Sequence, residues 1–262
     1  DGKEETYAER TVQVRFKQRP TAGYTSATPK TFTVKQKAHT ITELGNSTYY
    51  QWGRKDPFVG ALEGPGGSPN SINKTWYDAS GTTHTNQLPA VQSFPTGTAC
   101  ITRGITTPGT FNANSYMDGQ YYNLWDANNN TTSTNDNLVV KTIYDPSPVG
   151  YKLPPSNVFT GFTTTGQYTS NQSQFNVQGA WAKGWHFHCG LNHTGDTVFF
   201  PASGYRNNFT AVPDHMGSLA YYWTTGLGSA YGGWTLHFHS GHVNPLVNYN
   251  RSSGFEVRAA QE

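Results

Sequence analysis

An α+β fold dominated by strands is what this sequence predicts, on three observations. Short runs alternate apolar and polar side chains with period two. The punctuation between them is dense, with 28 Gly and 15 Pro in 262 residues. Aromatic residues make up 14% of the chain, and such side chains suit a pleated, half-buried surface.

Thr11-Val-Gln-Val-Arg-Phe-Lys17 places Val12, Val14 and Phe16 on one face, and Phe32-Thr-Val-Lys-Gln-Lys-Ala38 repeats the pattern. Both read as half-buried strands joined through residues 18–30, which carry Pro20, Gly23 and Pro29. Two strands do not make a stable sandwich. Residues 1–42 are therefore either terminal strands of an incomplete β-sandwich domain or partners of the domain that follows, residues 43–262. Residues 60–69, rich in Gly and Pro, and the Asn/Thr/Ser run 126–136 read as surface loops. Residues 138–144 suit a strand or one to two helical turns before Pro146. Residues 156–162 read as a short helix, with Ser156 placed to cap it and Gly161 to end it. Beyond Gly179 come successive strands, around 185–189, 197–200, 219–224, 234–239 and 255–259, with Gly-rich turns between them. Phe255, Val257 and Ala259 alternate with Glu256 and Arg258, as in a terminal strand closing a sheet.

Composition excludes several classes of function. Charged residues are 13% of the chain, the net charge is +2, and Lys and Arg are scattered, which leaves no footprint for nucleic acid or an anionic membrane. Seven Trp, sixteen Tyr and fourteen Phe bury too much area for disorder. No apolar run reaches the roughly 18 residues that span a bilayer. The sequence opens on Asp1-Gly2 with neither Met nor signal peptide, and is read as a mature or a trimmed form. Cys100 and Cys189 either form one bridge or remain two buried thiols.

The histidines are the sharpest chemical signal. Gly184-Trp-His-Phe-His-Cys189 and Thr235-Leu-His-Phe-His-Ser240 share a His-Phe-His core. On strands, His186 and His188 face away from Phe187, while His237 and His239 face away from Phe238. If the two strands were neighbours in suitable register, these four imidazoles would come within reach of one zinc ion. The competing reading is four solvent-facing strand positions. No recognised zinc spacing is present, so the prediction is no metal and no cofactor, with His186, His188, His237 and His239 as the alternative ligand set. Gly-x-Ser-x-Gly and His-Glu-x-x-His are absent, and no carboxylate pair stands in a glycosidase context. No catalytic residue is nominated. Asn73-Lys-Thr75, Asn192-His-Thr194 and Asn208-Phe-Thr210 are Asn-x-Thr triplets, and Asp196-Thr197-Val198 is similar to a short O-glycosylation pattern.

Several ordered blocks carry a family resemblance. They are residues 49–57, Asn123-Leu-Trp-Asp126, residues 141–154 with Tyr144-Asp-Pro-Ser-Pro-Val-Gly-Tyr-Lys-Leu-Pro154, Phe159-Thr-Gly-Phe162, residues 200–206, Tyr222-Trp223 and Gly254-Phe-Glu-Val-Arg258. Together they resemble the C-terminal domain of fimbrillin-like cell-surface proteins of Bacteroidales, related to the FISUMP domains, over residues 49–261. The resemblance implies a C-type-lectin-like domain, residues 43–262, preceded by strands of an immunoglobulin-like β-sandwich, residues 1–42. It further implies a non-enzymatic surface or fimbrial adhesin subunit, at the outer-membrane surface or outside the cell. Its partners would be other fimbrial subunits or a host or bacterial surface protein or glycan. Relatives commonly carry Cys where Ser147 and Ala259 stand, so no family disulfide carries over. The calcium-lectin ligand motifs are approximated only by Val212-Pro-Asp214 and Leu124-Trp-Asp126. The alternatives are a calcium-independent glycan-binding surface protein or a zinc-dependent enzyme built on the His-Phe-His strands.

Overall fold

A computed structural model describes residues 2–16, 30–44, 48–59, 75–77, 83–85, 90–93, 98–113, 123–128, 133–229 and 231–262. They belong to two compact units, Asp1–Gly45 and Asn46–Glu262. The loop expected at 60–69 and, of the connection expected at 18–30, all but Lys30 lie outside the described residues.

In the first unit β1 (Gly2–Tyr7) pairs antiparallel with β4 (His39–Leu44), and β2 (Arg10–Phe16) with β3 (Lys30–Gln36). One register runs through both ladders, from Gly2↔Leu44 to Phe16↔Lys30. The four strands are thus a single antiparallel ribbon broken at 8–9 and 37–38. Across the break, the Gln36 amide donates to the Ala8 carbonyl at 3.1 Å. Val12 lies opposite Val34, and both are exposed.

The second unit is built on one large sheet. Its order is β16 (Pro213–Asp214), β15 (Tyr205–Arg206), β20 (Gly254–Val257), β17 (Leu219–Leu227), β18 (Gly232–His239), β19 (His242–Asn250). The closing strand β20 runs parallel to β17 and antiparallel to β5 (Thr48–Gln51), which pairs in turn with β6 (Phe58–Val59). The start of this unit and its last long strand are therefore hydrogen-bonded neighbours. A second sheet orders β12 (Val177–Gln178), β13 (Gly184–His188) and β14 (Thr197–Pro201). Shorter pairs join β7 (Thr75–Tyr77) to β8 (Thr83–Thr85), β9 (Ala90–Ser93) to β10 (Thr110–Ala113), and β11 (Tyr151–Lys152) to β21 (Ala260–Gln261). The one α-helix among the described residues is α1 (Thr98–Thr106).

Alternation along β17 sorts the core into two layers. Ala220 and Tyr222 enter a cluster with Phe159, Phe187, Phe200 and Phe238, between the large sheet and the three-stranded one. Leu219, Tyr221 and Trp223 turn to the other face, onto Trp52, Trp125 and Phe255. A strand covered on both sides reads as continuously apolar, and Leu219-Ala-Tyr-Tyr-Trp223 does. The indole N–H groups inside are paired: Trp52 donates to Thr224 O at 3.0 Å, Trp223 to Tyr50 O at 2.8 Å and Trp125 to Arg54 O at 3.2 Å. Gly204, at φ +74°, passes where a Cβ would stand 2.2 Å from Asp214 O, so glycine is required there.

Two expected elements differ. Residues 138–144 form neither strand nor helix, because side chains take over the hydrogen bonding around them. Asp126 Oδ1 accepts from Val140 N at 2.8 Å, and the Lys141 ammonium donates to the carbonyls of Ser147, Pro148 and Tyr151. Residues Ser156–Phe162 are a 3₁₀ helix, but its N-cap is Pro155 and its C-cap Thr163. Ser156 Oγ instead accepts from Asn135 N at 2.7 Å and donates to Asn135 O at 3.0 Å, tying the helix to the 133–137 segment.

Candidate functional site

The two His-Phe-His strands are not neighbours. β13 pairs with β12 and β14, and β18 with β17 and β19. Their phenylalanines meet across the core, Phe187 and Phe238 lying 5.4 Å apart between ring centroids. Since each histidine faces away from its phenylalanine, one pair points out of each sheet. His186, His188, His237 and His239 therefore cannot reach a common ion, and this four-ligand set is corrected. His186 is exposed against Phe199, and His188 Nδ1 lies 3.2 Å from Gly195 O.

His237 and His239 instead gather around His242, which lies opposite His239 across the Ser240-Gly241 hairpin turn. His237 Nδ1 and His242 Nε2 are 3.2 Å apart, and the His239 and His242 rings are 3.8 Å apart. His237 stacks on Tyr221 at 4.2 Å, and Tyr221 on Phe255 at 4.3 Å. Burial first, then His242 and His239, lowers the His237 pKa to about 3. Burial, then His239, lowers that of His242 to about 4. His237 and His242 are thus neutral at ordinary pH. His239 Nδ1 accepts from Gly241 N at 2.8 Å, which turns that nitrogen to the hairpin. Among the described residues no group of three or more His, Cys, Asp or Glu is arranged to hold a metal ion.

The carboxylates nearest to lectin motifs have structural roles. Asp126 Oδ1 accepts from Asn128 N and Val140 N, while Asp214 contacts His215 at 3.0 Å. Cys189 is a free, exposed thiol, so no Cys100–Cys189 bridge is present and Cys189 is not buried.

A concave site lies elsewhere, between β5, α1 and the segments 124 and 143–144. It is a cavity of about 270 Å³ whose apolar lining includes Trp52, Ile101, Ile105, Leu124, Ile143 and Tyr144. Ile101 and Ile105 stand four residues apart on α1 and so share a face. Ile105 and Ile143 are the exposed rim, at 56% and 76%. At the back is Arg54, whose Nη1 donates to Gln51 Oε1 at 2.9 Å and Thr110 O at 2.7 Å, and whose Nη2 donates to Pro108 O at 2.7 Å. The guanidinium thereby holds the turn by which the chain leaves α1 and enters β10. Gln51 completes the support, donating to Asn112 O at 2.7 Å and Ser252 O at 2.6 Å and accepting from Asn112 N at 3.0 Å. Arg251 packs over Trp52 at 5.4 Å.

The chain matches no protein-family model, no curated protein and no solved structure. Sequence reasoning passed over both α1 and His242. The signals were Ile101 and Ile105 at helical spacing before the stop Thr107-Pro108-Gly109, and Ser240-Gly241 as a two-residue hairpin turn directly after His-Phe-His.

Proposed function

We propose that this chain is a non-catalytic recognition protein of the bacterial surface, a cell-surface or fimbrial adhesin subunit that binds its partner through the Arg54-backed pocket. In this reading the second unit is a C-type-lectin-like domain, and the ribbon of the first unit supplies strands of an immunoglobulin-like sandwich. The partner is another fimbrial subunit, or a host or bacterial surface protein or glycan. The observation that carries the proposal is the pocket: an apolar concavity with a few fixed polar groups at its back, on a hydrogen-bonded sheet, has the make-up of a preformed binding site. The resemblance of the ordered blocks to fimbrillin-like proteins supports the surface assignment. No described helix is long and apolar enough to cross a membrane.

The test uses beads coated with the chain, applied to host cells and to immobilised fimbrial subunits. Ile105→Asp with Ile143→Asp alters only exposed rim positions. Loss of roughly tenfold in adherence, with an unchanged melting curve, is expected. Undiminished adherence would remove the pocket from recognition. Calcium-independent glycan-array binding would identify a sugar as the partner.

A further inference from the structure

The lining of the pocket narrows its ligand, on the reading that this cavity is the recognition site. Arg54 is 8% exposed, its Nη atoms donate only to uncharged oxygens, and its Nε has no partner. The guanidinium is therefore a buried cation with no carboxylate in contact among the described residues, a costly arrangement that an arriving anion relieves. Burial lowers its pKa to about 10, opposed by Asp56 at longer range, so it stays charged at neutral pH. Gly104 is the residue of α1 that faces Nε, an ideal Cβ there lying 3.5 Å from it. The helix is thus thinnest over the guanidinium edge. Among the described residues of the lining, Arg54 and Lys55 stand beside one carboxylate, Asp56.

A second orphan atom belongs to another residue of the lining. Asn112 is 3% exposed and lines the cavity, and its Oδ1 accepts no hydrogen bond. A ligand that suits both atoms brings an N–H for Asn112 Oδ1, a carboxylate for the Arg54 side and an apolar group for Trp52, Leu124 and Ile143.

We propose that the pocket takes an apolar amino-acid residue bearing a free α-carboxylate and an acylated α-nitrogen, the chemistry shared by a polypeptide C-terminus and an N-acyl amino acid. Arg54 is the anion-reading group and Asn112 reads the amide N–H. The apolar walls select side chains such as Phe or Leu over charged ones.

Isothermal titration of the 262-residue chain with N-acetyl-phenylalanine, its C-terminal amide and its O-acetyl phenyllactate analogue separates these contacts. The acid is expected to bind at least roughly tenfold more tightly than the amide, as loss of a charge-assisted contact implies. The analogue lacking N–H is expected to bind more weakly than the acid. Ac-Ala-Ala-Phe with a free carboxylate distinguishes the two sources: binding at least as tight as that of N-acetyl-phenylalanine assigns a polypeptide end, and exclusion of the longer probe assigns a free acyl amino acid. Ile143→Glu, at the exposed rim, is expected to weaken the acid by a similar factor without lowering the melting temperature. Equal affinity for acid and amide overturns the anion reading and leaves the pocket as a recognition site. No binding of any probe, with adherence still lost in the double rim variant, overturns the ligand class alone. No binding together with unaffected adherence removes both.

Discussion

His237 ties the stability of the large sheet to pH. Its ring is stacked on Tyr221, close to His242 and His239, and held neutral with a pKa of about 3 against 6.5 in the free side chain. A histidine kept neutral in the fold contributes stability that is fully present above pH 6.5 and is lost as pH falls towards 3, because the unfolded chain takes up the proton first. At about pH 4.5 the unfolded state is protonated there and the folded state is not, a difference of two pH units and therefore roughly 2–3 kcal/mol. For a domain of this size that is a fall of roughly 5–10 °C in melting temperature. Carboxylates elsewhere also respond to acid, so the informative quantity is a difference between proteins. His237→Phe preserves the ring on Tyr221, removes the buried and unpartnered Nε2, and does not titrate. Near-UV circular dichroism melts between pH 7 and 4.5 should show the wild type losing more than the variant by about the amount above. Two parallel pH profiles would refute the assignment of a strongly depressed pKa to His237.

Three further outcomes follow from the packing. Gly233→Ala places a methyl group 2.5 Å from Trp52 Cδ1, and should cost roughly 1–3 kcal/mol in denaturant unfolding, as overpacking does; a neutral substitution would mean that Trp52 is loosely held. Truncation before Gly254 removes β20 with the fully buried Phe255 and unpairs β5 from the sheet. A loss of roughly 3–5 kcal/mol from the aromatic alone should abolish cooperative melting, and a sharp, unchanged transition in the fragment would count against this topology. Cys189, free and exposed, should react with a thiol reagent in the native protein, whose intact mass should be the same with and without reductant. A mass gain on reduction would show a disulfide.

Period-two reading worked where each strand carries its own pattern. β2, β3, β13, β14, β17, β18 and β20 all fall on alternating or continuously apolar segments that the chain displays locally. It also gave the direction of each His-Phe-His side chain relative to its phenylalanine. Sheet partners are a different kind of information: register and neighbour choice depend on distant segments, and nothing within residues 184–189 or 235–240 says that β13 belongs to another sheet. The same locality explains residues 138–144, whose apolar positions suit a strand. Asp126 and three carbonyls of the following turn, contributed by separate stretches, satisfy the backbone and the Lys141 ammonium instead.

The pocket was illegible for a related reason. Arg54 sits in a short segment whose neighbours, Trp52 and Lys55, suggest neither burial nor exposure, and its backbone acceptors, the carbonyls of Pro108 and Thr110, lie more than fifty positions away. A guanidinium buried on carbonyl oxygens has no sequence signature, because carbonyls belong to every residue. Arg54 is therefore a buried charge that composition counts but cannot place. Its proposed role follows from its surroundings: a buried cation whose hydrogen-bond partners among the described residues are all neutral gains more from an incoming anion than a paired one would. The strength of selection at this site should consequently track the charge of the ligand more steeply than its apolar area, an ordering that the acid and amide probes measure directly.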